Sequence, residues 1–374
     1  MLIKRKIQKN VEKVLFKGKV IILYGPRQVG KTTLIKQIQK KYSAISLYLN
    51  CDEPDIRDAL CNKTSTQIRN FFGNKKLILM DEAQQVKNIG QTLKLIVDNF
   101  PDIQVIASGS SSFELSNEIL EPLTGRKFEF ILYPISLSEL TQIYSKLEIS
   151  RLLETFLIYG MYPEILLNLE NRDENLKSIA RSYAYKDILK FQNIKNPDAL
   201  EKLLRALALQ IGGEVSYNEL AQTVGIDKNT VSNYIQILEK AFIIYRVGTF
   251  SRNLRNEIKK LRKIYFFDTG LRNALINNLN NLDLRQDVGG LWENFWIMER
   301  IKYLSYSGRE ANYYYWRTRQ GQEIDFIEEM DGKISAYEIK WNLRKFKAPK
   351  IFIETYKNSE VKMINKSNFL ELLL

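Results

Sequence analysis

Over the first 134 positions the apolar residues concentrate in short runs: Val20–Leu23, Ala44–Leu49, Leu77–Met80, Ile103–Ala107 and Phe128–Tyr133. Runs of this length, rich in branched residues and bounded by turn formers, predict strands buried on both faces, as in a parallel sheet. Helical spacing fills the gaps, from Thr33 to Ile38, through the stretch ending at Phe72, and from Ile89 to Phe100. Leu137 to Phe191 keeps helical spacing with one main break at Tyr162-Pro163, which predicts a helical connector. Asn196-Pro197 marks a boundary, because the residue before proline is pushed out of the helical region. Beyond it, Ala199–Gln210 predicts an amphipathic helix ended by Gly212-Gly213. Ser216–Gly225 and Ile226–Lys240 then predict two helices around a glycine-containing turn, with Asp227 as a candidate N-cap. Ala241–Gly248 supplies a β-wing, and Ile264–Gly270 with the Asn-rich segment to Asp283 reads as a connection. Gly290–Ile301 predicts an amphipathic helix; Asn312–Trp316, Glu323–Ile327 and Ile334–Trp341 predict strands. The resulting regions are 1–136, 137–196, 197–270 and 285–374.

Composition narrows this picture. A chain of 374 residues exceeds one ordinary core, so two to four domains are expected. No apolar run approaches 18 residues, and the basic N-terminus lacks a hydrophobic stretch behind it, which argues against a membrane partner and a secretory signal. Cys51 and Cys61 form neither a disulfide framework nor a zinc pattern, which places the chain in a reducing, cytoplasmic compartment. There are no histidines, so imidazole acid–base chemistry and His-ligated zinc are excluded, leaving carboxylates, lysine and Mg²⁺. The formal charge of +13 points to a polyanionic partner, nucleic acid before membrane.

The chemistry is densest after the first strand. Gly25, Pro26, Arg27, Gln28, Val29, Gly30, Lys31 and Thr32 match GxxxxGK[ST], followed by Thr33 at the opening of a helix. Phosphates must be surrounded by backbone N–H groups, which side chains at the turn would obstruct, and the helix N-terminus adds partial positive charge. Lys31 reaches the β- and γ-phosphates, and Thr32 offers its hydroxyl to Mg²⁺. Asp81-Glu82 closes a buried strand: Asp81 would hold the metal and Glu82 would polarise the attacking water. Ser108 and Ser110 both qualify as a sensor of the γ-phosphate. Arg126 reads either as an arginine finger or as a cation at the start of a strand.

The combination GPRQVGKTTL, LILMDEAQ, ASGSSSFEL, LTGRKFEF and YPISLSEL, with FLIYGMYPEIL (156–166) and SYAYKDIL (182–189) further on, resembles the prokaryotic predicted AAA+ ATPases. The resemblance implies an AAA+ fold for the N-terminal part and ATP with Mg²⁺ as its ligands. Asp81-Glu82-Ala83-Gln84 also resembles the DEAD-box-like helicase signature. A helicase core needs a second strand–helix lobe, and nothing after residue 200 alternates in that way.

The two helices after Asn196 look like a winged helix, whose second helix would read a DNA groove. Lys228, Asn229, Ser232 and Asn233 fall on its exposed front. Arg252, Arg255, Lys259, Lys260, Arg262 and Lys263 form a basic stretch beside the wing, suited to phosphate contacts. A winged helix used for protein packing is the alternative. In the last region Glu338 and Lys340 lie two apart in a strand and share a face. With Asp325 adjacent they form a candidate Mg²⁺ site, Asp325 and Glu338 as ligands and Lys340 activating water. These residues resemble the PD-(D/E)xK restriction-endonuclease-like fold, and Glu293 matches its accessory helix acid, while Ile324 stands where many members carry proline. The expected architecture is therefore α/β: a P-loop AAA+ parallel-sheet domain, a helical connector, a winged helix and a restriction-endonuclease-like domain. The expected function is Mg²⁺-dependent ATP hydrolysis with DNA as partner, with nuclease activity and homo-oligomer formation left open. The alternative is a nucleotide-dependent regulatory switch contacting a protein partner, with a catalytically silent nuclease-like domain.

Overall fold

The computed structural model describes residues 2–109, 122–182, 194, 196–251, 261–342 and 346–374. They divide into two compact units, Leu2–Pro134 with Lys240–Phe242, and Ile135–Glu239 with Ile243–Leu374. Among the described residues no helix is long and apolar enough to cross a membrane.

The N-terminal unit is built on five parallel strands: β1 (Val20–Tyr24), β2 (Ser46–Asn50), β3 (Leu77–Asp81), β4 (Gln104–Ser108) and β5 (Lys127–Ile131). Their order is β2-β3-β4-β1-β5. The apolar runs end up here because β1, β3 and β4 are buried along their whole length, which only a two-sided covering permits. The chain leaves β1 for the far edge, works back to β4, then passes β1 to reach β5. That reversal beside β1 is where the strand ends open a crevice for a ligand. Gly25 follows β1 at φ +149°, and a Cβ there would lie 2.2 Å from the Leu132 carbonyl oxygen, so glycine is required for the close passage beside β5.

The second unit carries a seven-stranded sheet in the order β12-β11-β10-β9-β7-β8-β6. Its strands are β6 (Glu214–Val215), β7 (Ile244–Thr249), β8 (Arg262–Phe266), β9 (Asn312–Arg317), β10 (Glu323–Met330), β11 (Lys333–Ile339) and β12 (Ser359–Ile364). Helix Pro197–Leu209 leads into β6, and helices Tyr217–Val224 and Lys228–Lys240 follow it before β7 and β8, which complete the antiparallel set β6, β8 and β7. The wing residues do not stand apart: β7 pairs in parallel with β9, Gly248 opposite Tyr314, and so joins the two halves of the sheet.

Two expectations change here. Ile264–Gly270 is not a connection, since Ile264–Phe266 lie in β8 and Asp268 caps the buried helix Thr269–Leu275 by accepting from Leu271 N at 2.9 Å. This helix packs on Leu153–Tyr159 so closely that a Cβ on Gly270 would sit 2.0 Å from the Tyr159 carbonyl oxygen. Asp268 also accepts from Met161 N at 2.6 Å, which ties FLIYGMYP to the YFFDTG segment. The helix carrying Glu293 runs from Val288 to Tyr306, and 14 of its 19 residues are buried. It is not amphipathic, because it is covered on nearly all sides. Its Trp292 meets Phe369 and Trp341, and its Trp296 meets Tyr337 and Phe326. Each such ring contributes roughly 2–3 kcal/mol through burial.

Several buried charged side chains in this unit are paired with one another. Arg300 grips Glu328 with Nε at 2.7 Å and Nη2 at 3.0 Å. Asp287 accepts from Arg272, and from Arg285 through Nε and Nη2, both at 2.9 Å. Burial would raise the Asp287 carboxyl, but the two guanidiniums outweigh it and hold it down to about 2.

Candidate functional site

In the N-terminal unit the loop between β1 and helix Lys31–Lys41 holds the glycine motif. Gly30 is the helix N-cap in the left-handed region, at φ +96°. Gln28 is also left-handed, at φ 60°. Lys31 is buried, and its Nζ donates to the Gly25 and Pro26 carbonyls at 2.8 and 2.7 Å. Burial pulls the ammonium down to about 8, against the opposing pull of Glu82 and Asp81. These two partners are neutral acceptors of its own loop, which phosphate oxygens can replace. Thr32 is half-buried at the first turn, while Thr33, Arg27 and Gln28 are exposed.

Asp81 ends β3, 2% exposed, and accepts from Tyr48 Oη at 3.0 Å and from the Ser108 hydroxyl at the end of neighbouring β4. Ser108 in turn accepts from the Glu82 backbone N at 3.3 Å, so one hydroxyl links the Asp81 carboxylate to the Glu82 main chain. Glu82 adopts φ 52°, ψ 44°, a left-handed conformation unusual for a side-chain-bearing residue, and Gln84 donates to its carboxylate. Strain of this kind persists where the surroundings over-determine it, often at functional sites. Among the described residues no ammonium lies within ion-pair distance of this carboxylate, and a carboxylate held by two hydroxyls suits a divalent cation held through water. Arg5, outside every motif, was missed: its guanidinium is buried and donates to Val29 O at 2.6 Å and Tyr133 O at 2.5 Å. It thereby holds the loop against the exit of β5, and no local pattern around Arg5 signals it.

Arg126 lies elsewhere. Its carbonyl accepts from Val20 N at 2.9 Å, at the start of β1, and its Nε pairs with Asp98 at 2.7 Å. Five residues of strand, roughly 15 Å, separate it from Gly25. Ser110, and with it the choice between the two serines, lies outside the described residues, as do residues 183–189, Arg252, Arg255, Lys259 and Lys260.

In the second unit Asp325, Glu338 and Lys340 do come together. Lys340 Nζ sits 2.8 Å from Glu338 Oε1 and 3.2 Å from Asp325 Oδ2, and Ile339 N donates to the same Asp325 oxygen at 2.8 Å. Burial raises the Glu338 carboxyl, and Asp325 adds to it against the Lys340 ammonium. Glu338 Oε2 is buried without a hydrogen-bond partner. Lys263 changes the character of this cluster. It was expected in the DNA-facing basic stretch, yet it is 4% exposed, with Nζ 2.8 Å from Glu293 Oε1 and 3.5 Å from Asp325 Oδ1. Tyr265 Oη donates to the same Glu293 oxygen at 2.6 Å. Burial pushes the Glu293 carboxyl up to about 7, against the pull of Lys263. The alternation Lys263-Ile264-Tyr265 carried the signal, since residues two apart in a strand share a face. Among the described residues, no group of three Asp, Glu, Cys or His is placed to hold a metal ion.

On the helix Lys228–Lys240, Lys228, Asn229 and Asn233 are exposed and Ser232 is half-buried. Val231, Tyr234, Ile235 and Leu238 face inward, which leaves the polar side to solvent. Asp227 accepts from Asn229 N and Thr230 N at 2.8 and 3.0 Å, fixing the start of this helix.

Residues 17–141 match a family model described as an AAA domain, which agrees with the glycine motif and the parallel sheet around it. Residues 150–282 and 288–368 match two domains of unknown function, DUF8612 and DUF4143. An uncharacterized protein of Mycobacterium tuberculosis is 26% identical over 347 residues, covering 91% of this chain and 74% of its own. One from Methanocaldococcus jannaschii is 25% identical over 342 residues, covering 86% and 74%. Among solved structures, the Thermotoga maritima RuvB Holliday junction branch migration motor aligns at TM-score 0.33 and 18% identity, over 66% of this chain and 90% of its own. Drosophila ORC bound to AT-rich DNA and Cdc6 aligns at 0.28 and 10%, over 73% and 90%. The region of the N-terminal unit that carries the glycine motif is thus similar to an AAA domain.

Proposed function

We propose that this protein hydrolyses ATP with Mg²⁺ in its N-terminal unit and contacts DNA through its C-terminal half. The observation that carries the first part is the hydrogen-bonded chain Asp81–Ser108–Glu82 at the strand ends beside the buried Lys31. Lys31 exchanges its loop carbonyls for phosphate oxygens, and Gly25–Thr33 line the phosphates. Thr32 and Asp81 would hold Mg²⁺, which neutralises phosphate charge. Glu82 accepts a hydrogen bond from the attacking water and draws its proton away as the water oxygen bonds to the γ-phosphorus, while the bond from that phosphorus to the β,γ-bridging oxygen breaks and ADP leaves with the electron pair. Ser108, bonded to the Asp81 carboxylate and the Glu82 backbone N, transmits the loss of the γ-phosphate. Arg126 is too far from its own loop to contribute, so a finger role requires a neighbouring copy in a homo-oligomer.

The DNA contact rests on the winged-helix order of Pro197–Phe266 and the exposed polar face of Lys228–Lys240. Titrating DNA affinity against salt tests it: affinity should fall steeply with salt, and Lys228→Ala should lower the slope by about 1. Affinity that ignores salt, or is absent, would leave the protein-partner switch instead. Lys263, seated between Glu293 and Asp325, favours a second reading of the last region. In that reading the restriction-endonuclease-like arrangement is kept but does not cut, and nucleotide state governs binding alone. Plasmid, forked and junction DNA incubated with Mg²⁺ or Mn²⁺ separates the two. Cleavage that disappears in Asp325→Ala would establish a nuclease.

A further inference from the structure

We infer that Lys263 is the resident cation of the Glu293–Asp325–Glu338 cluster and that it keeps divalent metal ions out. The inference rests on the silent reading of this cluster and supplies its physical cause. Lys263 lies outside the Asp…Glu-x-Lys pattern, on β8, and enters the cluster only through the fold. Its ammonium is bounded by Glu293 at 2.8 Å, Asp325 at 3.5 Å and the face of the Tyr315 ring at 5.7 Å. That surrounding suits a monovalent cation on a fixed stem.

The stem cannot swing away. Lys263 pairs in register with Glu214 on β6 and with Val247 on β7, so its backbone lies inside the sheet. Three residues on, Asn294 accepts from Phe266 N at 2.6 Å and donates to Phe266 O at 2.8 Å, clamping β8 to the helix that carries Glu293. Lys340 differs, with a side chain 33% exposed at the end of β11, and it can turn towards solvent.

The oxygens are correspondingly taken. Glu293 Oε1 holds Lys263 and Tyr265, Asp325 Oδ1 faces Lys263, and Asp325 Oδ2 holds Ile339 N and Lys340. Among the described residues, Glu338 Oε2 is buried without a hydrogen-bond partner. Mg²⁺ requires near-octahedral oxygen coordination at about 2.0–2.1 Å. An ion chelated by Glu293 and Asp325 together would need Glu293 Oε1 and Asp325 Oδ1 to abandon Lys263.

Mn²⁺ titration of the full chain without nucleotide, read by the EPR signal of the free ion, tests this. Wild type and Asp325→Asn should bind the same number of ions, any P-loop contribution being common to both. Lys263→Ala should gain one equivalent, lost again in Lys263→Ala/Asp325→Asn. A wild-type ion that Asp325→Asn removes would overturn the inference, as would a folded Lys263→Ala chain that gains none. If Lys263→Ala does not fold by circular dichroism, the wild-type and Asp325→Asn pair decides alone. Mn²⁺ bound at Asp325 without DNA cleavage would overturn only the role of Lys263. Cleavage lost in Asp325→Asn would overturn the silent reading with it.

Discussion

Each unit places a buried lysine near acidic residues, and the two lysines are satisfied in opposite ways. Lys31 hydrogen-bonds to the Gly25 and Pro26 carbonyls, while Asp81 is held by the hydroxyls of Tyr48 and Ser108. Its charges are stabilised by neutral groups, which leaves each free to meet a ligand of opposite sign. Lys263 instead meets Glu293 and Asp325 directly, and Lys340 meets Asp325 and Glu338. There the charges answer one another, and a ligand must break an ion pair before it can bind. The ordering of the ammonium levels follows: burial carries Lys31 down to about 8, whereas Lys263, equally buried, is held above its ordinary value by two carboxylates. Similar residue types can thus make a ligand-ready site or a closed one, depending on which groups neutralise them.

The largest expected effect removes the ligand-ready lysine. Lys31→Ala should lower ATP turnover by about 10³-fold or more, with circular dichroism unchanged, because transition-state charge loses its nearest ammonium. Turnover close to wild type would break the comparison at its first term. Glu82→Gln keeps the shape and should lower turnover by about 10²–10³-fold while nucleotide affinity, read by fluorescent-analogue titration, stays within a few-fold. Equal loss of affinity and turnover would mean that Glu82 serves the loop conformation and not the water.

On the closed side, Lys263→Met should destabilise the fold by about 3–5 kcal/mol in urea denaturation, since two buried carboxylates lose their counter-ion. Adding Glu293→Gln should restore part of that loss. A neutral single variant would show that solvent reaches the cluster, and the contrast with Lys31 would disappear.

The smallest effect concerns a third closed set, Arg272, Arg285 and Asp287. The Asp287 carboxyl sits at about 2 when folded and near its ordinary value of 3.8 when unfolded. The unfolded chain therefore binds the extra proton between these values. The stabilisation is full above about pH 4 and is lost as pH falls towards 2. The difference in unfolding free energy between wild type and Asp287→Asn, read by urea denaturation, should shrink over that window by on the order of 1 kcal/mol after screening at this partly exposed group. A constant difference would assign the contribution to packing.

The chain's local patterns determined a good deal. Short apolar runs become strands wherever both faces are covered, so the positions of β1 to β5 and the loop Gly25–Thr32 were legible before any fold was known. The helix pair Tyr217–Val224 and Lys228–Lys240 was legible because caps and turns act within a few residues. Tertiary structure decided what depends on partners distant in sequence. Pairing of β7 with β9 merged the wing with the last strands, and register along β1 sent Arg126 to the end of the sheet away from the loop. Burial turned Lys263 from a surface cation into the counter-ion of Glu293 and Asp325. A lysine reads the same in sequence on either side of a strand; only the sheet around it determines whether its charge meets solvent, a phosphate or a carboxylate.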